Sequence, residues 1–215
     1  MHNCPLCHNQ DTHYYHEDKR RSYFQCSECH LVFVDPVQRL DAKAEKAHYD
    51  LHENDPSDEG YRRFLSRIAD PIIERITSNA HGLDFGCGPG PTLSIMLQEK
   101  GHSVELYDVY YHPNKEVLAQ TYDFMTATEV IEHVYQPDLV WQQWLNLVKP
   151  GGWIGLMTKM VIDLEAFQHW HYKNDVTHVI FFSRKTFEYL AERDKLELEF
   201  VGNDVILLRK PSNES

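Results

Sequence analysis

The chain has 215 residues, 42 % of them hydrophobic and 25 % charged. That is enough for one ordinary domain of roughly 100–150 residues plus an appendage, and too apolar for a disordered chain. Its 21 Lys and Arg against 33 Asp and Glu give a net charge of −12, which disfavours nucleic acid as the main partner, because displacing counterions from phosphates takes a basic face. No apolar run approaches the ~18–20 residues of a membrane span. The opening Met1-His2-Asn3-Cys4-Pro5 lacks the apolar stretch of a secretory signal, so the expectation is a soluble, cytoplasmic protein.

Residues 1–39 read as a small metal module. Four of the five cysteines form two C-x2-C pairs, Cys4/Cys7 and Cys26/Cys29, with 18 residues between them. The spacing is that of a structural zinc site, in which each tight knuckle aims two thiolates at one ion. A redox dithiol is the alternative use of such pairs. Sulfur at all four positions leaves no coordination site for water or substrate, so this zinc supports folding and not chemistry. His8 and His30 are expected to stand beside the metal, not on it. Tyr23–Gln25 and Leu31–Val34 predict strands, as in a zinc ribbon.

Residues 40–79 read as a helical linker or cap: a polar helix over Leu40–Asn54, a turn-rich break to Gly60, then a helix over Gly60–Asn79 with Pro71 as a kink or restart. From residue 80 to 215, strands and helices alternate. Strands are expected ending at Asp84 and over Ser103–Tyr107, Tyr122–Thr128 and Trp153–Thr158, with helices over Pro91–Lys100, Pro137–Val148 and from a Ser183 cap to about Arg193. A hairpin of Leu196–Phe200 and Val205–Leu208 closes the pattern. Such alternation predicts a doubly wound, Rossmann-like α/β sheet.

The chemistry concentrates in Asp84-Phe85-Gly86-Cys87-Gly88-Pro89-Gly90. Glycines between a strand and a helix remove Cβ atoms and let backbone N–H groups approach a ligand. Asp108, 18 residues after Gly90 and at the end of the next strand, can accept hydrogen bonds from the ribose hydroxyls of an adenosine cofactor. The Lys-Ser/Thr of a phosphate-gripping loop is absent. An acid before the first glycine suits a ligand bearing an ammonium group and would repel a pyrophosphate. Cys87 is expected to pack, not to react.

Asp84–Gly90 resembles motif I of class I S-adenosylmethionine-dependent methyltransferases. Thr126–Val134, with Glu129, Glu132 and His133, resembles the family's E-V-x-E-H segment, and Leu147–Gly152 its L-K-P-G-G turn. Asp175–Ser183 resembles a subgroup of small bacterial methyltransferases, some carrying an N-terminal zinc module. The resemblance spans about residues 80 to 210. It implies S-adenosylmethionine as cofactor, with Asp84 at its methionine end and Gly86, Cys87, Gly88, Gly90, Asp108 and Glu129 around it. Only Val109–Thr121 lies where typical members fit a helix and a third strand, so that strand is expected to be missing or vestigial.

The loop from Phe167 to His178 follows the edge of the sheet where ligands bind in such folds. Three readings stand. In the first, His171, Tyr172, Asp175 and His178 shape the acceptor pocket, with His171, Tyr172 or His178 removing a proton. In the second, His169, His171, Asp175 and His178 hold a metal; in the third, Asp175 and His178 merely tie the backbone down. The expected activity is methyl transfer to a small molecule. An RNA or protein acceptor read by the ribbon through Lys19-Arg20-Arg21, or a non-catalytic cofactor-binding module, are the alternatives.

Overall fold

A computed structural model describes residues 2–50 and 55–212. The ribbon contributes β1 (Thr12–Glu17), β2 (Ser22–Cys26) and β3 (Val32–Val34). Helix α1 (Ala42–Tyr49) follows, shorter than the polar helix expected over Leu40–Asn54, whose last residues lie outside the described ones. Asp41 starts it by accepting from the Ala44 amide. Helix α2 (Glu59–Ile73) runs without a break through Pro71, and Asp58 caps it by accepting from the Gly60 and Tyr61 amides.

The main domain then reads β4 (His81–Phe85), α3 (Thr92–Glu99), β5 (Ser103–Tyr107), β6 (Tyr122–Thr128), α4 (Pro137–Leu147), β7 (Val148–Met157), α5 (Leu164–Gln168), β8 (Ile180–Phe181), α6 (Arg184–Asp194), β9 (Glu197–Val201) and β10 (Val205–Arg209). Six strands pair in the order β5-β4-β6-β7-β10-β9. The first four are parallel, and the last two join antiparallel as the closing hairpin. This is the expected Rossmann-like doubly wound sheet. The chain steps from β4 to one neighbour, then back to the other, so the crevice opens at the carboxyl ends of β4 and β6. Among the described residues β5 is the edge on this side of the sheet, with β9 at the other. Where a further strand would stand, residues 109–121 make only a bridge between Asp108 and His112 and a 3-10 turn over Lys115–Ala119.

Alternating side chains feed two layers. Val205 and Leu207 of β10, with Phe124, meet Leu65, Ile68 and Ile72 of α2 and Leu93 and Leu97 of α3. Ile206 and Leu208, with Met125 and Ile154, meet Trp141 and Trp144 of α4 and Phe187 and Leu190 of α6. The expected turn at Lys149–Gly152 is instead the irregular start of β7: its pairing with β6 shifts between Tyr122 and Phe124. Gly152 allows this, since a Cβ there would stand 2.6 Å from the Asp123 carbonyl.

The ribbon is built into this body. Its sheet runs β1-β2-β3-β8, all antiparallel, so the fourth strand comes from the segment after β7. Cys4, Leu6, Cys26, Cys29, Leu31 and Phe33 belong to the same buried cluster as α4 and α6. On the other side of the ribbon sheet, Tyr23, Val32 and Val34 pack with Phe167, Tyr172 and Phe181. Burying one such large side chain is worth about 1.5–3 kcal/mol.

Candidate active site

The glycine loop leaves β4 by folding back on β5. The Gly86 and Cys87 amides donate to the Tyr107 carbonyl at 2.7 and 3.2 Å. Gly86 has φ +77°, and a Cβ there would lie 2.4 Å from Val130 Cγ2, so both conformation and space demand glycine. Asp84 is buried, one carboxylate oxygen accepting from Ser94 Oγ and the other from Thr126 Oγ1, both at 2.9 Å. Burial pushes its carboxyl up to about 6 against those hydrogen bonds, with Asp108 nearby adding to the rise. Cys87 is 8 % exposed, and burial beside Asp84 and Asp108 pushes its thiol far up, so it offers no thiolate.

Asp108 is tied to the loop. Its Oδ2 accepts from the Gly88 amide at 3.1 Å, and its Oδ1 from the amides of Tyr110 and Tyr111 at 2.8 and 3.0 Å. A carboxylate offers about four acceptor positions. One therefore remains, on Oδ2, and a ribose gripped through both hydroxyls must displace a backbone amide.

One cleft of about 750 Å³ joins Asp84, Gly86–Gly90 and Asp108 to a second cluster of groups. Glu45 of α1 accepts from the hydroxyls of Tyr49 and Tyr110 at 3.1 and 3.0 Å, roofing the cleft with two rings. Glu129, in the left-handed region at φ +52°, hangs from the end of β6 by its amide, which donates to the Met157 carbonyl. His133, Asp175 and His178 complete this end.

Beneath it, the Tyr172 hydroxyl donates to Glu132 Oε1 and also lies 3.1 Å from Glu129 Oε2. Burial, and the repulsion of Glu129, hold Glu132 well above the ordinary carboxyl range. Tyr172 does not face the cleft, and burial between two carboxylates drives its hydroxyl far from ionisation. His171 is exposed, 3.1 Å from Lys159 Nζ, and is not part of the cleft wall. His178 is. Its Nδ1 lies 2.8 Å from the Tyr172 carbonyl, which can only accept, so Nδ1 carries the hydrogen and Nε2 presents a lone pair. Burial pushes its pKa down to about 4.

The four residues considered as a metal set in this loop, His169, His171, Asp175 and His178, are not gathered. His178 groups instead with Glu132 and His133, their ligand atoms within 4.8 Å. Sequence reasoning gave no reason to expect Glu45, Tyr49, Tyr110 or Tyr111 here. They come from a helix that reads as a polar linker and from a segment short of a strand.

A family model described as a methyltransferase domain matches residues 57–199, well over half of the chain. The chain belongs to the methyltransferase-domain family. S-adenosylmethionine is that family's cofactor, and the cleft's bare loop, buried acid and strand-end acid are a chemically fitting set for it. A ubiquinone biosynthesis O-methyltransferase of Shewanella sp. (strain ANA-3) is 33 % identical over 91 residues, covering 42 % of this chain and 39 % of that protein. A second, from Photorhabdus laumondii, is 34 % identical over 91 residues, 42 % of this chain and 38 % of its own. The chain thus spans well under half the length of these curated relatives.

The fold of this methyltransferase-domain chain is similar to that of a 1,6-didemethyltoxoflavin N1-methyltransferase from Burkholderia thailandensis, solved with 1,6-didemethyltoxoflavin and S-adenosylhomocysteine bound. The TM-score is 0.53 at 15 % identity, covering 93 % of this chain and 99 % of the other. An O-methyltransferase family protein from the same organism gives a TM-score of 0.56 at 12 % identity, covering 81 % and 61 %.

The four ribbon cysteines are all free of disulfides, with Cys4 Sγ 3.5 Å from Cys29 Sγ, Cys7 Sγ 3.5 Å from Cys26 Sγ, and all four within 4.8 Å. Four sulfurs at ~2.3 Å from one zinc stand roughly 3.8 Å apart, so the tetrad is compatible with a closed tetrahedral ion. The two knuckles repeat one another: His8 and His30 donate from their amides to the carbonyls of Cys4 and Cys26, each with φ near +60°. The His8 ring points away, its Nε2 2.8 Å from Asp138.

Proposed function

We propose that the cleft binds S-adenosylmethionine along Asp84–Gly90 and Asp108, and that the chain transfers its methyl group to a small acceptor that is neutral or cationic. The observation that carries this reading is one continuous cleft with a stripped backbone loop at one end and His178 in the wall at the other. When bound, the cofactor supplies a methyl group on an electrophilic sulfonium.

The protein's part is alignment, holding nucleophile and methyl about 3–3.5 Å apart. His178 Nε2 accepts a hydrogen bond from the nucleophile's O–H or N–H and turns the nucleophile's lone pair toward the methyl. Because burial holds the imidazole near 4 even with Asp175 Oδ2 3.9 Å from Nε2, the proton released after transfer passes on to solvent. Asp84 and Glu129 add negative charge around a cationic cofactor, and Tyr49 and Tyr110 line the cleft beside them.

Charge supports the acceptor class. Among the described residues the cleft wall carries Glu45, Asp84, Asp108, Glu129 and Asp175 but no Lys or Arg. A phosphate or carboxylate on the acceptor would face these acids with no cation on the wall itself, which disfavours an anionic acceptor. Of the basic cluster that favoured an RNA acceptor, Arg21 is 5 % exposed and engaged within the protein, which leaves only Lys19 and Arg20 at the surface. The names of the curated relatives and the small heterocycle held by the Burkholderia enzyme agree with a small acceptor.

Calorimetry with S-adenosylhomocysteine tests the cofactor, and transfer of a radiolabelled methyl group to a panel of phenols and amines tests the acceptor. Binding and labelling of uncharged or cationic compounds are expected. No detectable S-adenosylhomocysteine binding sinks the reading, and label carried only by anionic compounds or RNA sinks the acceptor class.

A further inference from the structure

The ribbon's turn between β1 and β2 reaches into the loop that carries Asp175 and His178. Arg21 is buried there, and its guanidinium is spent on carbonyl oxygens. Nη1 donates to Val176 at 3.1 Å and to His178 at 2.8 Å; Nη2 donates to Asp175 at 3.0 Å and also to Lys173. Only a planar fork with several N–H groups in one rigid unit can gather four carbonyls of a single loop.

A second link runs the other way. Lys173, itself 5 % exposed, reaches back from the loop to Asp18 of the same turn, Nζ to Oδ2 at 3.3 Å. Although burial works against it, Asp18 is held down at about 2 by the amides of Arg20 and Arg21, the Tyr23 hydroxyl and the Lys173 ammonium.

The ribbon also grips the residues just after His178. The Val34 amide donates to the Val179 carbonyl at 2.9 Å, and β3 then pairs Phe33 with Ile180 and Val32 with Phe181. The Val179 amide donates in turn to Glu132 at 2.8 Å, under the wall of the cleft. His178 therefore sits between two anchors, the Arg21 clamp before it and the β3–β8 ladder after it, both supplied by the ribbon.

We propose that the N-terminal ribbon is the buttress of the acceptor end of the cleft, and that Arg21 is the positioning residue through which it fixes Asp175 and the Nδ1–H tautomer of His178. The proposal rests on the reading that His178 faces the acceptor. It gives the ribbon a task inside the molecule: a loop of short turns, which alone would open readily, becomes rigid enough to aim a lone pair. No Arg21 atom touches the cleft, so it acts only through the loop.

The test uses the full chain with Arg21→Ala, Arg21→Lys and, as a control for nearby charge, the exposed Lys19→Ala. Four quantities are measured: zinc per chain, S-adenosylhomocysteine affinity, amide hydrogen exchange across 173–181, and the imidazole nitrogen shifts of His178.

Arg21→Ala is expected to keep its zinc and to bind S-adenosylhomocysteine within about 3-fold of wild type, because residues 84–90 and 108 are untouched. Its amides at His178 and Val179 exchange at least ~10-fold faster, on the scale of losing a charged hydrogen bond, and the single Nδ1–H tautomer gives way to a mixture. Arg21→Lys falls between, and Lys19→Ala matches wild type.

Wild-type exchange and tautomer in both Arg21 variants would overturn the proposal, as would an equal loss in Lys19→Ala. Should Arg21→Ala fail to fold, Arg21→Lys decides alone, since wild-type protection there would show that a point charge suffices. Failure of the methyltransferase reading is distinguishable: wild type would then not bind S-adenosylhomocysteine, while the exchange difference would still report on the clamp.

Discussion

The two ends of the cleft are made in opposite ways. The end proposed for the cofactor comes from one stretch of seven residues and one acid on the neighbouring strand, and the Gly88 amide on Asp108 ties the two directly. The other end is assembled from α1, residues 109–111, residues 129–135 and the 175–178 loop, and that loop is held by a ribbon more than 150 positions earlier in the chain. A local site is fixed by backbone conformation, and an assembled one by whatever packs behind it. The first should therefore tolerate damage to distant parts, and the second should not.

Breaking the cysteine tetrad should separate them most sharply. Cys29→Ser breaks the tetrad in the buried cluster shared with α4 and α6. Zinc content is expected to fall well below one per chain and the melting temperature by about 10 °C or more, since a structural zinc contributes folding free energy directly. Protection at β8 and around His178 should go with it, while S-adenosylhomocysteine still binds within a few-fold. Equal loss at both ends would erase the distinction.

Gly86→Ala makes the converse cut. The new Cβ meets Val130 at 2.4 Å in a backbone that side chains disfavour, a strain of about 2 kcal/mol or more. Calorimetry should show at least ~30-fold weaker S-adenosylhomocysteine binding, with the His178 tautomer unchanged. Asp108→Asn is milder. It removes the charge that orders Gly88, Tyr110 and Tyr111, and binding should weaken about 10- to 30-fold, the scale of one charged hydrogen bond. Unaltered affinity would take Asp108 out of the cofactor site.

The same contrast governs what a single sequence discloses. Strands β1 and β8 and helix α5 are not among the expected elements. The order of strands and helices in the six-stranded sheet, the stop at the β5 edge and the cysteine tetrad all rest on local signals, spacing and turn chemistry, and so could be read in advance. Ser183 is a case in point: a cap whose partner, Thr186, lies three residues away. The acceptor end offers no such signal. His171 and Tyr172 are adjacent in a loop full of candidate groups, yet one is out in solvent beside Lys159 and the other lies beneath two carboxylates. Arg21, in a cluster that reads as a basic surface, is buried under loop carbonyls that no pattern of residue types encodes. Tyr49 and Tyr110 meet over the cleft because Glu45 accepts from both, a geometry visible only once α1 is folded down.

The smallest effect expected is one of pH, and it too divides the ends. Asp84 titrates near 6 in the folded protein against 3.8 in its ordinary state, because burial disfavours its charge. A raised carboxyl stabilises the fold only while protonated: that contribution is whole below about pH 4 and is lost as pH rises through 6. An ammonium group lodged beside Asp84 favours the ionised form, so binding should release a proton and strengthen with pH. About a tenth of Asp84 is ionised at pH 5 and nine tenths at pH 7, which sets a gain of up to ~10-fold in S-adenosylhomocysteine affinity across that range. His178, held near 4, stays neutral throughout that range. Calorimetry in two buffers of different ionisation enthalpy reads both the affinity and the released proton, and Asp84→Asn should flatten the profile. An affinity that does not change between pH 5 and 7 in wild type would mean that the cofactor's ammonium group lies away from Asp84.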